Sequence, residues 1–205
     1  MKNFKMTTPL VELATADEVQ KNLLNTARKE NKMIPNMYKA MANSPALLDT
    51  YMHGYRKFKA DGIFSPAEQE VVFLTISAEN QCTYCMGAHS LLADTVAKVP
   101  VEVTEAIRSN KEIPQEKFRV LSEFTSVMVN QRGLPSEDDV QKFLKSGYSE
   151  QHILSIILAI SVKTISNYVN HVFETELDSV FKAREWKGYK ATRNFVNFFR
   201  REAIP

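Results

Sequence analysis

The regular punctuation of helix starts and stops constrains this chain more than any other feature. Ser44-Pro45 and Ser65-Pro66-Ala67-Glu68 each set a serine before a proline at the first helical position, where the hydroxyl can cap the helix and the missing proline N–H costs nothing. The second signal adds a glutamate three residues after the serine, the pattern of a reciprocal capping box. Ser136-Glu137-Asp138-Asp139 and Ser149-Glu150-Gln151-His152 open further helices with acids in the first turn, where the helix dipole favours negative charge. Stops are equally local, at Asp61-Gly62, Asn110, Gln131-Arg132-Gly133 and Ser146-Gly147. There is no hairpin signal, and no stretch where strict alternation outcompetes the helical period. The chain therefore reads as all-α, with helices near 16–30, 35–42, 45–60, 66–80, 83–98, 101–109, 115–131, 137–145, 150–164, 166–181 and 187–202. Short connections imply that successive helices pack as neighbours.

The 205 residues suit a single domain spanning 1–205. A net charge of +2, from 26 basic and 24 acidic residues, is too even for a dedicated nucleic-acid or acidic-membrane binder, so neither partner is expected. The first ten residues lack the apolar stretch of a signal peptide. The best apolar run, Ile153 to Ile160, is interrupted by Ser155 and too short to cross a bilayer. The expected compartment is the cytoplasm. There, closely spaced cysteines more often do chemistry or bind metal than serve as a structural staple.

A weak repeat runs through the chain. Ser65 to Ser77 lies over Ser149 to Ser161 at an offset of 84, and Tyr84 lies over Tyr168. In the second copy Ser166, Val169 and Phe173 replace Cys82, Cys85 and His89, and Leu154 replaces Glu70. The implied units are two related helical hairpins, one equipped for chemistry at 65–98 and a degenerate apolar one at 149–181.

Both cysteines of the chain sit in Cys82-Thr83-Tyr84-Cys85, with His89 four residues on. If Cys82 opens a helix after a break at Asn80-Gln81, Cys82, Cys85 and His89 share one face, and His89 leans back over Cys85. Unpaired N–H groups at a helix start favour a thiolate. An ordinary thiol is only about 3% ionised at pH 7, so lowering its pKa is what makes a nucleophile. A carboxylate to orient the imidazole would complete the arrangement. Glu79, three residues before Cys82, and Glu70, on the preceding helix, are both candidates. Position in the helix alone favours Cys82 as the more acidic thiol.

The stretch Glu70-x11-Cys82-x2-Cys85-x3-His89 resembles the redox signature of the AhpD-like alkylhydroperoxidases, within the carboxymuconolactone decarboxylase superfamily. The likeness extends to Asn43-Ser44-Pro45-Ala46-Leu47-Leu48 and to Lys163-Thr164-Ile165-Ser166-Asn167-Tyr168, and covers about residues 35 to 182. It implies an AhpD-like helical bundle, a homo-oligomer, and no bound cofactor. It also implies that Cys85 attacks a peroxide and that Cys82 resolves the sulfenic acid as a disulfide. His89 and Glu70 would move the proton, and an external dithiol would restore the thiols. One slot departs from the pattern: Tyr84 stands where relatives can carry a histidine. The decarboxylase branch lacks a redox cysteine pair, so lactone decarboxylation is not expected.

Other readings compete. The chain could be a redox-sensing oligomer without turnover, or an enzyme of the superfamily acting on another small organic molecule. A zinc site using the cysteines, His89 and a glutamate has its ligands along one helix face, which closes a tetrahedron poorly. Met86 directly after Cys85 excludes a c-type haem attachment. Tyr84 reads as a packing residue with its hydroxyl tied down. The basic, aromatic stretch at 187–202 reads as an amphipathic helix docking through Phe195, Phe198 and Phe199.

Overall fold

The capping signals act largely where the sequence places them. Ser65 accepts from the Glu68 N–H while the Glu68 carboxylate accepts from the Ser65 N–H. Ser136 and Asp139 make the same reciprocal pair, and Ser149 does so with the imidazole of His152. Ser44 is the exception: Pro45 takes the first helical position, but the Ser44 hydroxyl makes no capping bond. The computed structural model describes residues 4–188. Its helices are α1 (Glu18–Asn31), α2 (Asn36–Met41), α3 (Pro45–Ala60), α4 (Pro66–Glu79), α5 (Thr83–Leu92), α6 (Val101–Ser109), α7 (Glu116–Asn130), α8 (Glu137–Lys145) and α9 (Glu150–Phe173). A π-helical turn (Ala93–Ala97) extends α5, and a 3-10 segment (Ser179–Arg184) follows α9. No strand occurs among the described residues.

Helix α4 is buried at every position from Glu68 to Ala78, so it is the central rod of the bundle. It packs against α5, α6, α7 and α9, while α9 also receives α2 and α3. One apolar cluster gathers Phe58, Phe73, Leu121, Phe124, Phe143 and Tyr148. A second gathers Leu24, Met37, Met41, Leu48, Tyr51 and Met52, and both cysteines belong to it.

Two readings of the sequence are corrected. The expected helices 150–164 and 166–181 are one continuous helix to Phe173, capped by left-handed Glu174. The second repeat unit is thus no hairpin. In the first copy the chain turns because Gln81 adopts a left-handed conformation, φ 55°; its counterpart is Ile165, a β-branched residue for which positive φ is strained, and the helix runs on. In consequence the apolar run is longer than the sequence reading allowed. By length and composition alone α9 could cross a bilayer; here it carries buried Lys163 and packs against five other helices. The expected helix at 187–202 lies outside the described residues from 189 onward.

Gly54 lets α3 approach α9: a Cβ there would stand 2.8 Å from Val162 Cγ2. A helical valine has one strongly preferred rotamer, so the methyl cannot swing away. Gly54→Ala is expected to destabilise the fold by about 1–2 kcal/mol despite its better helix propensity. A thermal melt checks this, with a drop of about 3–6 °C as the expected reading.

Candidate functional site

The turn that ends α4 also builds the cysteine site. The Gln81 N–H donates to the Ala78 carbonyl and the Cys82 N–H to the Ser77 carbonyl, at 3.0 and 2.9 Å. This is a Schellman closure around a left-handed residue. Cys82, its last residue, is at once the N-cap of α5, and its sulfur accepts from the Cys85 N–H at 3.4 Å. The helix reversal lays α5 back along α4 and brings His89 onto Glu70. His89 Nδ1 lies 2.8 Å from Glu70 Oε2, and Lys59 Nζ from α3 donates to Glu70 Oε1 at 3.0 Å.

The other wall is a polar stripe on α9. Lys163, Ser166, Asn167 and Asn170 fall at i, i+3, i+4 and i+7, one helical face, and all four are buried. Asn170 Nδ2 donates to the Cys85 sulfur at 3.3 Å and reaches the Cys82 sulfur at 3.7 Å. The Ser166 hydroxyl lies 3.9 Å from the Cys85 sulfur. Asn167 accepts from Asn80 at 2.9 Å, tying the stripe to the turn that carries Cys82. Lys163 Nζ sits 5.4 Å from the centre of the Phe73 ring and has no hydrogen-bond partner among the described residues.

These surroundings split the two thiols. Burial alone pushes Cys85 up, but the hydrogen bond from Cys82 and the charges and dipoles of Lys163, His89 and Asn167 outweigh it and hold it well below the ordinary thiol value. Cys82 goes the other way, raised by burial and by its hydrogen bond to Cys85. Position at the helix start, which favoured Cys82, loses to the hydrogen bond that Cys82 gives Cys85 and to the α9 stripe, and two adjacent thiolates do not form together. Burial also pushes Glu70 up, yet His89 and Lys59 keep it ionised. An ionised Glu70 fixes the His89 proton on Nδ1 and leaves Nε2 as the basic nitrogen. Burial and Lys163 lower the imidazole pKa, so His89 is neutral and able to accept a proton. Lys59, with its side chain 30% exposed, is the solvent end of a chain that runs through Glu70 to His89.

Cys82, Cys85, His89 and Glu70 are thus brought together. Glu79 is not: its carboxylate turns away to accept from Ser126 and Asn130 of α7, at 2.6 and 2.9 Å. Tyr84 lies between the cysteines with its hydroxyl held by Asp178, which also accepts from the Asn36 N–H. Burial and the Asp178 carboxylate raise the Tyr84 pKa far beyond neutral pH, so this phenol is a brace and not an acid. Lys163, Asn167, Asn170 and Asp178 were missed as site residues. The repeat aligned Ser166 with Cys82 but pointed to no chemistry there, and Asp178 lies in an irregular segment without a motif. Neither sulfur reaches the surface: Cys82 is fully buried and Cys85 is 2% exposed. Among the described residues no three His, Cys, Asp or Glu side chains gather as metal ligands.

In three dimensions the chain is similar to several solved proteins. It matches a peroxidase-related protein from Ralstonia eutropha JMP134, described as an alkylhydroperoxidase AhpD core, at a TM-score of 0.75 and 18% identity over 85% of this chain and 93% of that one. A peroxidase-related protein from Silicibacter sp. TM1040 matches at 0.72 and 19% identity, over 88% and 97%. A cysteine-to-alanine variant of the debrominase Bmp8, in complex with 2,3,4-tribromopyrrole, matches at 0.73 and 14% identity, over 89% and 97%. The chain has the AhpD-like helical fold that the motif implied. No protein-family profile and no curated protein sequence matches it.

The lowered Cys85 pKa carries a stability signature. Between the folded and the unfolded thiol values the unfolded chain binds more protons, so stability rises with pH. The contribution is complete above the ordinary thiol pKa of about 8.5 and is lost as pH falls through the folded value. Reduced wild type is expected to gain stability over Cys85→Ser as pH rises toward about 8.5, measured by urea unfolding across a pH series.

Proposed function

We propose that this protein is a thiol-dependent peroxidase that reduces hydrogen or organic peroxides through a Cys82–Cys85 dithiol/disulfide cycle. The observation that carries this reading is the split of the pair: Cys85 is held toward the thiolate while hydrogen-bonded Cys82 keeps its proton. The Cys85 thiolate attacks one peroxide oxygen, the O–O bond breaks, and the sulfur becomes a sulfenic acid while an alkoxide or hydroxide leaves. Cys82 then displaces the sulfenic hydroxyl, its proton goes to the departing oxygen, and water and a disulfide remain. An external dithiol reduces the disulfide by exchange. His89, oriented by Glu70, is the base this reading assigns to the proton traffic. The burial of both sulfurs supports a small oxidant.

Cys85→Ser is expected to reduce dithiol-dependent peroxide consumption to that of a cysteine-free variant. Cys82→Ser is expected to stop after one turnover, with a sulfenic acid at Cys85 that a dimedone probe labels. Turnover by Cys85→Ser equal to wild type would overturn the reading. His89→Gln is expected to cost about a hundredfold or more, read as the rate of the first turnover by rapid mixing.

The likeness to a debrominase supports a second reading, in which the same dithiol removes halogen from a small aromatic ring. Bromide release from a brominated pyrrole in the presence of dithiol, without peroxide turnover, would favour it. Self-association belongs to either reading. The exposed apolar side chains Leu154, Ile157, Tyr168 and Val172 along α9 support it, and sedimentation velocity tests it. The cytoplasm, whose reduced thiol pool would supply the dithiol donor, is the compartment that fits this chemistry.

A further inference from the structure

The charges around the sulfurs leave one cation over. Glu70 is shared by Lys59 and His89, so its negative charge is already balanced at the solvent end of the chain. Lys163 is fully buried, and among the described residues its Nζ donates to no carboxylate and makes no hydrogen bond. An uncompensated ammonium in such a place is costly, by several kcal/mol in real proteins. Lys163 shares its α9 face with Ser166 and Asn170, which reach the Cys85 sulfur, and of the two sulfurs its charge acts on, Cys85 is the one held toward the anion. Asn170 points its amide nitrogen at that sulfur, and its Oδ1 has no partner among the described residues. A donor and an acceptor thus stand free beside the nucleophile, which suits a small molecule that both accepts and donates hydrogen bonds, as a hydroperoxide does.

We propose that Lys163 is a further catalytic residue of this site: its ammonium is the counter-ion of the Cys85 thiolate and gives its proton to the oxygen that leaves when the O–O bond breaks. The proposal rests on the peroxidase reading. In the first step thiolate, ammonium and hydroperoxide become sulfenic acid, neutral amine and alcohol; the sulfur loses two electrons and the O–O bond takes them up. In the second step Cys82–SH and Cys85–SOH become disulfide and water. Neither step draws a proton from solvent. The oxidised site has lost its thiolate and its ammonium together, so the buried charge is balanced in both redox states. Reduction by an external dithiol returns the Cys85 proton to Lys163.

The test compares wild type with Lys163→Met, and with Lys163→Gln as a second uncharged variant, after far-ultraviolet circular dichroism confirms folding. Thiolate absorbance is followed against pH with Cys82 retained, because its hydrogen bond helps to hold Cys85 low and its own raised pKa makes Cys85 the first thiol to ionise. The other titratable groups around the sulfur are Tyr84 and His89 on α5, Glu70 on α4 and Tyr51 and Lys59 on α3, and all are unchanged in the variants. The thiolate fraction at pH 7 is expected to fall about tenfold or more in both variants. First-turnover rates are then measured in the Cys82-containing proteins at a pH where Cys85 is ionised in all of them. There tert-butyl hydroperoxide, whose leaving alkoxide is strongly basic, is expected to lose about tenfold or more, and peracetic acid, whose leaving carboxylate needs no proton, to lose little. An ordinary thiol titration in wild type sinks the peroxidase reading itself. A low wild-type titration that both variants keep overturns only the role of Lys163. An equal loss with both oxidants overturns its role as proton donor.

Discussion

A negative sulfur inside a helical bundle has to be balanced from within, and the architecture around Cys85 follows from that requirement. The balance comes from two helices far apart in sequence. Helix α5 supplies the thiols and the imidazole, and α9 supplies Lys163 and the Asn170 amide. Neither helix alone makes a reactive site. The Schellman turn at Gln81 sets the register of one wall, and the hydrogen bond between Asn80 and Asn167 locks it to the other. A shift of one residue along α9 would turn the polar stripe away from the sulfurs, because consecutive helical side chains point about 100° apart.

A second constraint acts at the far end of the site. Glu70 is 2% exposed and has to stay ionised to hold the His89 proton on Nδ1, and Lys59 keeps it so. The same contact places the outer end of the Lys59–Glu70–His89 chain toward the surface while the sulfurs stay buried. Water exclusion strengthens each charge interaction inside. Tyr84 contributes differently. Held by Asp178, which also takes the first N–H of α2, it pins the loop after α9 and the start of α2 to the residue beside Cys85. Tyr84 is here a mechanical tie.

The repeat shows how little sequence separates a hairpin from a rod. Both copies begin with a serine cap and an apolar helix in phase. The first reverses at Asn80-Gln81, because glutamine tolerates a left-handed backbone at modest cost; the second meets Thr164-Ile165 and runs straight to Phe173. The straight copy could then serve as the wall against which the bent copy closes. The similarity read between the copies was real at the helix starts and gave the wrong shape downstream, since the decisive difference was one backbone angle.

The sequence by itself determined most helix starts, the break before Cys82 and the common face of Cys82, Cys85 and His89. These follow from capping chemistry and helical spacing, which act within a few residues. It could not choose between Glu70 and Glu79, because the outcome turned on which neighbour each carboxylate met: Lys59 and His89 for one, Ser126 and Asn130 for the other. Only the tertiary structure decided which thiol is acidic and that both are buried. The hydrogen bond from Cys82 is local, but the burial and the help from Lys163 and Asn167, about eighty residues away in the chain, are set by what packs alongside.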